Sequence, residues 1–124
     1  MKTEKLLEAL EATRRHLNNA ISAINKDEEA FREDIWHAAA ELEYVLFGFS
    51  LMLTEQDKPK GGHKLDRTDV GELLVEAADL VEKAVQALKV EAISEAYRNA
   101  YTARNHVFKI QKEIDKKKRK VSKV

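Results

Sequence analysis

Three side chains in the second predicted helix have the types and spacing of a metal-binding group. Glu33, His37 and Glu41 recur every four residues, which places them on one face of a helix. Carboxylate and imidazole groups are common ligands of divalent transition metals. A di-metal helical bundle needs a Glu-x-x-His motif on each of two helices and glutamates on the others. The nearest match is Asp34-x-x-His37, which occurs once, so the sequence predicts neither a metal nor a cofactor.

Arginine and histidine in the last predicted helix are residue types that ribonucleases use. Helical-bundle ribonucleases of the higher-eukaryote and prokaryote nucleotide-binding (HEPN) class pair them at a fixed spacing of a few residues. Arg98 and His106 are separated by seven residues, whereas Arg104 and His106 are separated by one. Neither spacing fits, so a HEPN-like ribonuclease is a third alternative only. The chain also lacks cysteine, which excludes thiol nucleophiles, and we expect it not to be an enzyme.

Basic residues gather towards the C-terminus, where they could bind a nucleic acid. Residues 90–124 hold 10 basic and 4 acidic side chains, a net charge of +6. Lysine and arginine bind phosphate, and the nearby Tyr101 and Phe108 could stack on a base. The candidate nucleic-acid-binding residues are Arg98, Arg104, Lys109, Lys112, Lys116, Lys117, Lys118, Arg119 and Lys120. Repulsion within the run from Lys116 to Lys120 favours an extended basic tail over residues 116–124.

The second predicted helix is apolar on more than one side. Its core stripe comprises Ile35, Ala38, Ala39, Leu42, Val45, Leu46, Phe49 and Leu53. A helix that buries one face needs only one such stripe. Trp36, Tyr44, Phe47 and Leu51 point away from this stripe. Because a single-layer bundle cannot cover both sets, we expect these four residues to contact a second copy or another protein.

Hydrophobic periodicity predicts four helices that position these groups. The predicted helices are Thr3–Ile24, Asp27–Gln56, Thr68–Lys89 and Glu91–Lys118. One proline and four glycines are few helix breakers for 124 residues, and the proline lies with two glycines in the loop 57–67. We therefore predict an all-α fold: an antiparallel four-helix bundle formed by one domain, residues 1–115, with the basic tail, residues 116–124, after it.

The boundary between the third and fourth helices has two interpretations. No Gly, Pro, Asn or Asp separates Val81 from Asn99, yet the apolar stripe loses its phase around Lys89. A tight turn there gives the four-helix bundle, which we prefer. A merged helix of about fifty residues would be roughly 75 Å long and would require an intertwined dimer.

Charge and hydropathy complete the expected class of protein. The 22 basic and 22 acidic residues balance overall, but residues 26–56 hold 2 basic and 8 acidic side chains, a net charge of −6. The longest apolar run is too short to span a membrane, and no signal peptide is visible, so we expect a cytoplasmic protein. The expected function is that of a small non-catalytic interaction or adaptor protein, acting as a homodimer or as a subunit of a larger assembly. A nucleic-acid-binding accessory protein is the alternative.

Overall fold

The protein is a bundle of four helices. The computed structural model describes the backbone of residues 2–53 and 69–122 and the side chains of residues 3–53 and 69–116. The helices are α1 (Lys2–Ala23), α2 (Glu28–Ser50), α3 (Val70–Lys89) and α4 (Ile93–Ser122). No strand occurs within these described ranges. The all-α four-helix bundle predicted from the sequence is thus confirmed.

Each helix packs against two others, and neighbouring helices run antiparallel. The helix α1 packs on α2 and α3, and α4 packs on the same two helices. Leu6 near the start of α1 lies against Gly48 near the end of α2, whereas Gly71 at the start of α3 lies near Ile24, just after α1. The helix α2 therefore ends at one end of the bundle and α3 begins at the other.

Aliphatic side chains and alanines from all four helices fill the core. The largest fully buried side chains are those of Phe49, Leu10, Leu17, Ile35, Leu42, Leu73, Leu74, Ile110, Val45, Val81, Val85 and Val107. Ala38 and Leu46 of the predicted α2 stripe are also buried, while Ala39 and Leu53 are partly buried against the core. Phe31, which the prediction left out, is buried as well. One face of α2 is therefore fully used by the protomer's own core.

Aspartates fix the starts of α2 and α3. The Asp27 carboxylate accepts a hydrogen bond from the Ala30 N–H at 3.1 Å, and the Asp69 carboxylate accepts one from the Glu72 N–H at the same distance. Each satisfies a backbone donor that the first turn leaves free. The helix α2 ends at Ser50, earlier than the predicted Gln56. The Met52 N–H bonds to the Phe49 carbonyl, three residues back, so the chain leaves the α-helix through a tighter turn.

The connection between α3 and α4 is a tight turn with a left-handed residue. Glu91 has φ 61°, its N–H donates to the Leu88 carbonyl, and the Ala92 N–H donates to the Ala87 carbonyl. This pair of bonds is the Schellman motif, which usually has glycine at the left-handed position. The turn predicted near Lys89 is confirmed, and the merged long helix does not occur.

The helical backbone of α4 continues past its last described core contact. Ile114 is the last described side chain that packs against the core, yet the helical backbone runs to Ser122. The expected extended conformation of the basic run is therefore wrong as far as Ser122. Lysine and arginine have high helix propensity, and cations near a helix C-terminus interact favourably with its dipole, which offsets their mutual repulsion.

Candidate interaction surface

The side of α2 that faces away from the core carries a continuous apolar stripe. The exposed fractions are 52% for Trp36, 49% for Tyr44, 64% for Phe47 and 65% for Leu51. Ala40 is also exposed and lies between Trp36 and Tyr44 at helical spacing. We call these five residues the outer stripe of α2. The structure brings together the four large residues that the sequence assigned to a partner, and their role as an interface stays a prediction.

The outer stripe is large for the surface of a small protein. The exposed parts of its four large side chains total roughly 350–550 Å², if a full side chain of this size presents 150–250 Å². A typical monomer has one apolar patch of about this size at most, and such patches are often functional. Among the described residues, the other large exposed apolar side chains are Met52, Val75, Val90 and Phe108. Met52 immediately follows the stripe, which concentrates exposed apolar surface on one helix.

Aromatic residues of α4 flank the outer stripe. An ion pair between Arg104 Nη1 and Glu43 Oε1, at 3.3 Å, joins the neighbouring antiparallel helices α4 and α2. This pairing places the exposed Phe108 towards the Trp36 end of α2. Within α4, the guanidinium of Arg104 lies 5.0 Å from the centre of the Tyr101 ring. The apolar surface therefore widens from α2 towards α4.

Six of the nine predicted nucleic-acid-binding residues fall into three groups. Arg98 is exposed on α4. Arg104 is held by Glu43 and Tyr101 within the protomer. The side chains of residues 117–120, namely Lys117, Lys118, Arg119 and Lys120, lie outside the described residues. Of the two candidate arginines whose side chains the structure describes, Arg98 is therefore free to contact solvent, whereas Arg104 already has partners within the protomer.

Lys109, Lys112 and Lys116, the lysines of α4 whose side chains the structure describes, have intramolecular partners. Lys109 Nζ lies 3.5 Å and Lys116 Nζ 3.4 Å from the same Glu113 carboxylate oxygen. The Lys112 ammonium lies 4.8 Å from the centre of the Phe108 ring, within range of a cation–π interaction. A phosphate backbone would have to compete with these contacts, which weakens the basic face of α4 as a nucleic-acid site.

His106, the histidine of the ribonuclease alternative, lies in the core. It is 5% exposed, its Nε2 is 2.9 Å from Glu76 Oε2, and its Nδ1 is 2.9 Å from the Thr102 carbonyl oxygen. Both ring nitrogens therefore face protein acceptors instead of a substrate. Sequence reasoning missed this arrangement because Glu76 lies on α3, whereas a search along one helix finds only residues of α4.

The histidines of α1 and α2 meet across the helix interface. His16 Nδ1 lies 3.3 Å from Asp34 Oδ1, and the His16 ring stacks on the His37 ring with centres 5.0 Å apart. Glu33 is exposed and Glu41 is half-buried on the same helix as His37. Within the described residues, no three histidine or carboxylate side chains are arranged to hold a metal ion.

A cleft lies at the end of the bundle where α2 and α3 begin. Its walls include Phe31, Asp69, Glu113 and Ile114. The N-termini of α2 and α3 open here, but Asp27 and Asp69 already accept bonds from their first-turn amides. The carboxylates occupy the positions that an anionic ligand would need, so this cleft is a weaker candidate site than the outer stripe.

Comparison with protein-family models, curated proteins and solved structures finds no match to this chain. None of the described helices is both long and apolar enough to cross a membrane.

Proposed function

We propose that this protein is a small non-catalytic interaction protein that forms a homodimer through the outer stripe of α2. One observation carries the proposal: Trp36, Tyr44, Phe47 and Leu51 are each 49–65% exposed on a helix whose opposite face is already buried. Exposing such side chains to water is unfavourable, and a protein contact would remove that cost.

The composition of the outer stripe supports a protein partner. Aromatic residues are enriched in the cores of protein interfaces, where charged residues are depleted. Tryptophan and tyrosine dominate the binding energy of many interfaces, and the stripe holds one of each with Phe47 and Leu51 nearby. The indole N–H of Trp36 and the hydroxyl of Tyr44 can bond to water, so partial exposure of these two side chains is tolerable in a free protomer.

A second copy of the chain is the simplest partner for a stripe on one straight helix. A two-fold axis lets the same patch of both subunits meet, so no further apolar surface is required. Phe108, on the neighbouring helix α4, is exposed as well and would enlarge such an interface. A homodimer would then act as the unit that other proteins recognise or as a subunit of a larger assembly.

The experiment that tests this function replaces the two most exposed residues of the stripe. The double variant Phe47→Ser with Leu51→Gln is expected to be a folded monomer, because both side chains lie outside the core. Light scattering gives its mass and circular dichroism its helix content. A matched control, Val75→Ser with Val90→Ser, removes exposed apolar side chains elsewhere and is expected to remain a dimer.

Three results would contradict the proposed function. A parent chain that is monomeric has no interface to lose, and a double variant that remains dimeric must associate through another surface. Unfolding of the double variant with an intact control would mean that Phe47 and Leu51 belong to the protomer's own core.

Nucleic-acid binding is the second candidate, and one observation favours it. The helical backbone of α4 continues from Ile114, its last described core contact, through the basic run from Lys116 to Lys120. Binding through this run would be strongly salt-dependent. Replacing all five residues with glutamine should then abolish retention on a nucleic-acid column at low salt. Retention that survives this change would exclude the run as the binding element.

A further inference from the structure

We propose that the two subunits pack α2 against α2 in antiparallel orientation, with the two-fold axis beside Glu43 and Tyr44. This inference rests on the proposed homodimer and specifies its geometry. The partner is a second copy of the chain, and the argument for it comes from the distribution of charge and side-chain size along α2.

Charge along α2 selects the antiparallel orientation. Residues 28–34 hold four carboxylates, from Glu28, Glu29, Glu33 and Asp34, whereas residues 44–53 hold no charged side chain. Parallel packing would set the two acidic halves beside each other, and like charges repel. Antiparallel packing about an axis between Glu43 and Tyr44 keeps the two acidic segments apart, each beyond the end of the partner subunit's α2. The two acidic ends then lie at opposite ends of the interface.

Complete overlap of the two stripes locates the axis. The outer stripe runs from Trp36 to Leu51, so two antiparallel copies coincide only if the axis passes its midpoint, between Glu43 and Tyr44. Trp36 then faces Leu51 of the partner subunit. Glu43 would lie near its own copy, but Arg104 neutralises it from within the protomer at 3.3 Å.

This register also matches large side chains with small ones. Phe47, which is 64% exposed, faces Ala40 of the partner subunit, and the same pair recurs on the other side of the axis. Interlocking of large and small residues allows two helices to approach without voids or overlap. In parallel packing each residue would face its own copy, so that Phe47 would meet Phe47 and Ala40 would meet Ala40.

The area of the stripe indicates how far the interface extends. A stable dimer buries about 800 Å² on each partner, which exceeds the roughly 350–550 Å² that the four large side chains expose. The remainder has to come from neighbouring surface, and Met52, next to Leu51 in the chain, and Phe108, on α4, are also exposed. We therefore place α2 at the centre of the interface and α4 at its edge.

Disulfide trapping tests the orientation, because the chain has no cysteine of its own. In the antiparallel dimer, Tyr44→Cys should cross-link to its own copy. Trp36→Cys and Leu51→Cys should each cross-link poorly alone, since their copies are roughly 20 Å apart along the helices. Co-expressed with different tags, these two variants should form a mixed disulfide several-fold more abundant than either homodimer. Val75→Cys on α3 is the matched control and should not cross-link.

The outcomes separate this inference from the proposed function. Efficient homodimeric cross-links at both Trp36→Cys and Leu51→Cys would indicate parallel packing and overturn the inference. Absence of any cross-link in a chain whose mass is that of a dimer would place the interface away from α2. A parent chain that is monomeric by light scattering would overturn the proposed homodimer and, with it, the orientation.

Discussion

His106 on α4 and Glu76 on α3 join the two helices inside the bundle, with 2.9 Å between Nε2 and Oε2. The other ring nitrogen of His106 lies 2.9 Å from the Thr102 carbonyl oxygen. Because the ring is almost fully buried, these two acceptors replace the water that it would contact in the unfolded chain. His106 therefore has a structural role in joining α3 to α4.

Replacing His106 with alanine should destabilise the bundle. The change removes the bonds to Glu76 and Thr102 and leaves a cavity, so we expect a loss of about 2–4 kcal/mol in the free energy of unfolding. Urea denaturation followed by circular dichroism measures this loss. His16→Ala, at a more exposed histidine beside Asp34, is the control and should cost less. Equal stability of the parent and His106→Ala would contradict the structural role.

Replacing Glu91 with glycine should stabilise the protein. Glu91 has φ 61°, a conformation that glycine adopts without the steric cost of a side chain. Greater freedom of glycine in the unfolded chain offsets part of the gain, which leaves about 0.5–1 kcal/mol. The control is Glu95→Gly in the first turn of α4, which should cost stability. A lower urea midpoint for Glu91→Gly than for the parent would contradict this assignment.

Gly48 and Leu6 should show coupled effects on stability. A Cβ at Gly48 would overlap Leu6 Cδ2, so α1 and α2 approach closely at this point. Gly48→Ala should therefore lack the gain of about 1 kcal/mol that alanine gives in an open helix. In a Leu6→Ala background the overlap disappears, and the same substitution should stabilise. Urea denaturation of the four proteins gives the coupling energy, expected near 1 kcal/mol, and a value near zero would exclude the close approach.

The ion pair between Arg14 and Glu82 should make a small, pH-dependent contribution to the free energy of unfolding. The hydrogen bond from Arg14, with one from Gln86, lowers the pKa of Glu82 below its ordinary value of 4.5. Because the pKa of Glu82 is lower in the folded state, the Arg14–Glu82 pair stabilises the fold fully when the pH is above 4.5. This stabilisation is lost as the pH falls through the pKa of Glu82 in the folded protein. Both side chains are more than a third exposed, so solvent screening keeps the contribution below about 1 kcal/mol.

The variant Arg14→Met tests the contribution of this ion pair to stability. The difference in unfolding free energy between the parent and the variant should be largest near neutral pH and should shrink as the pH falls below 4.5, the ordinary pKa of the Glu82 carboxyl. Added salt should also reduce it. A difference that is independent of both pH and salt would show that Arg14 acts through the packing of its side chain and not through its charge.

Periodicity predicted the helices and most of the core. Apolar residues at intervals of three and four identified all four elements, and the core stripe from Ile35 to Phe49 is buried as expected. The same reasoning separated Trp36 and Phe47 from that stripe, because positions on opposite faces of one helix follow from its geometry alone. Such features depend on residues close together in the chain.

Features that depend on two distant segments could not be predicted. Glu76 meets His106, and Glu43 meets Arg104, only after the helices have packed. The turn at Glu91 was located by the loss of phase near Lys89, but its left-handed residue is a glutamate where the usual signal is glycine. The basic run was misjudged because its helical propensity outweighs repulsion between its charges.

The most direct test of the proposed function is the solution mass of the full-length chain by light scattering at low and high salt. The outer stripe of α2 predicts twice the 14.2 kDa of one chain, unchanged by salt because the contact is apolar, with an absorbance ratio free of nucleic acid. A mass of 14.2 kDa at every protein concentration would contradict the homodimer. If such a monomer carried nucleic acid at low salt and released it at high salt, the basic end of α4 would become the functional surface instead.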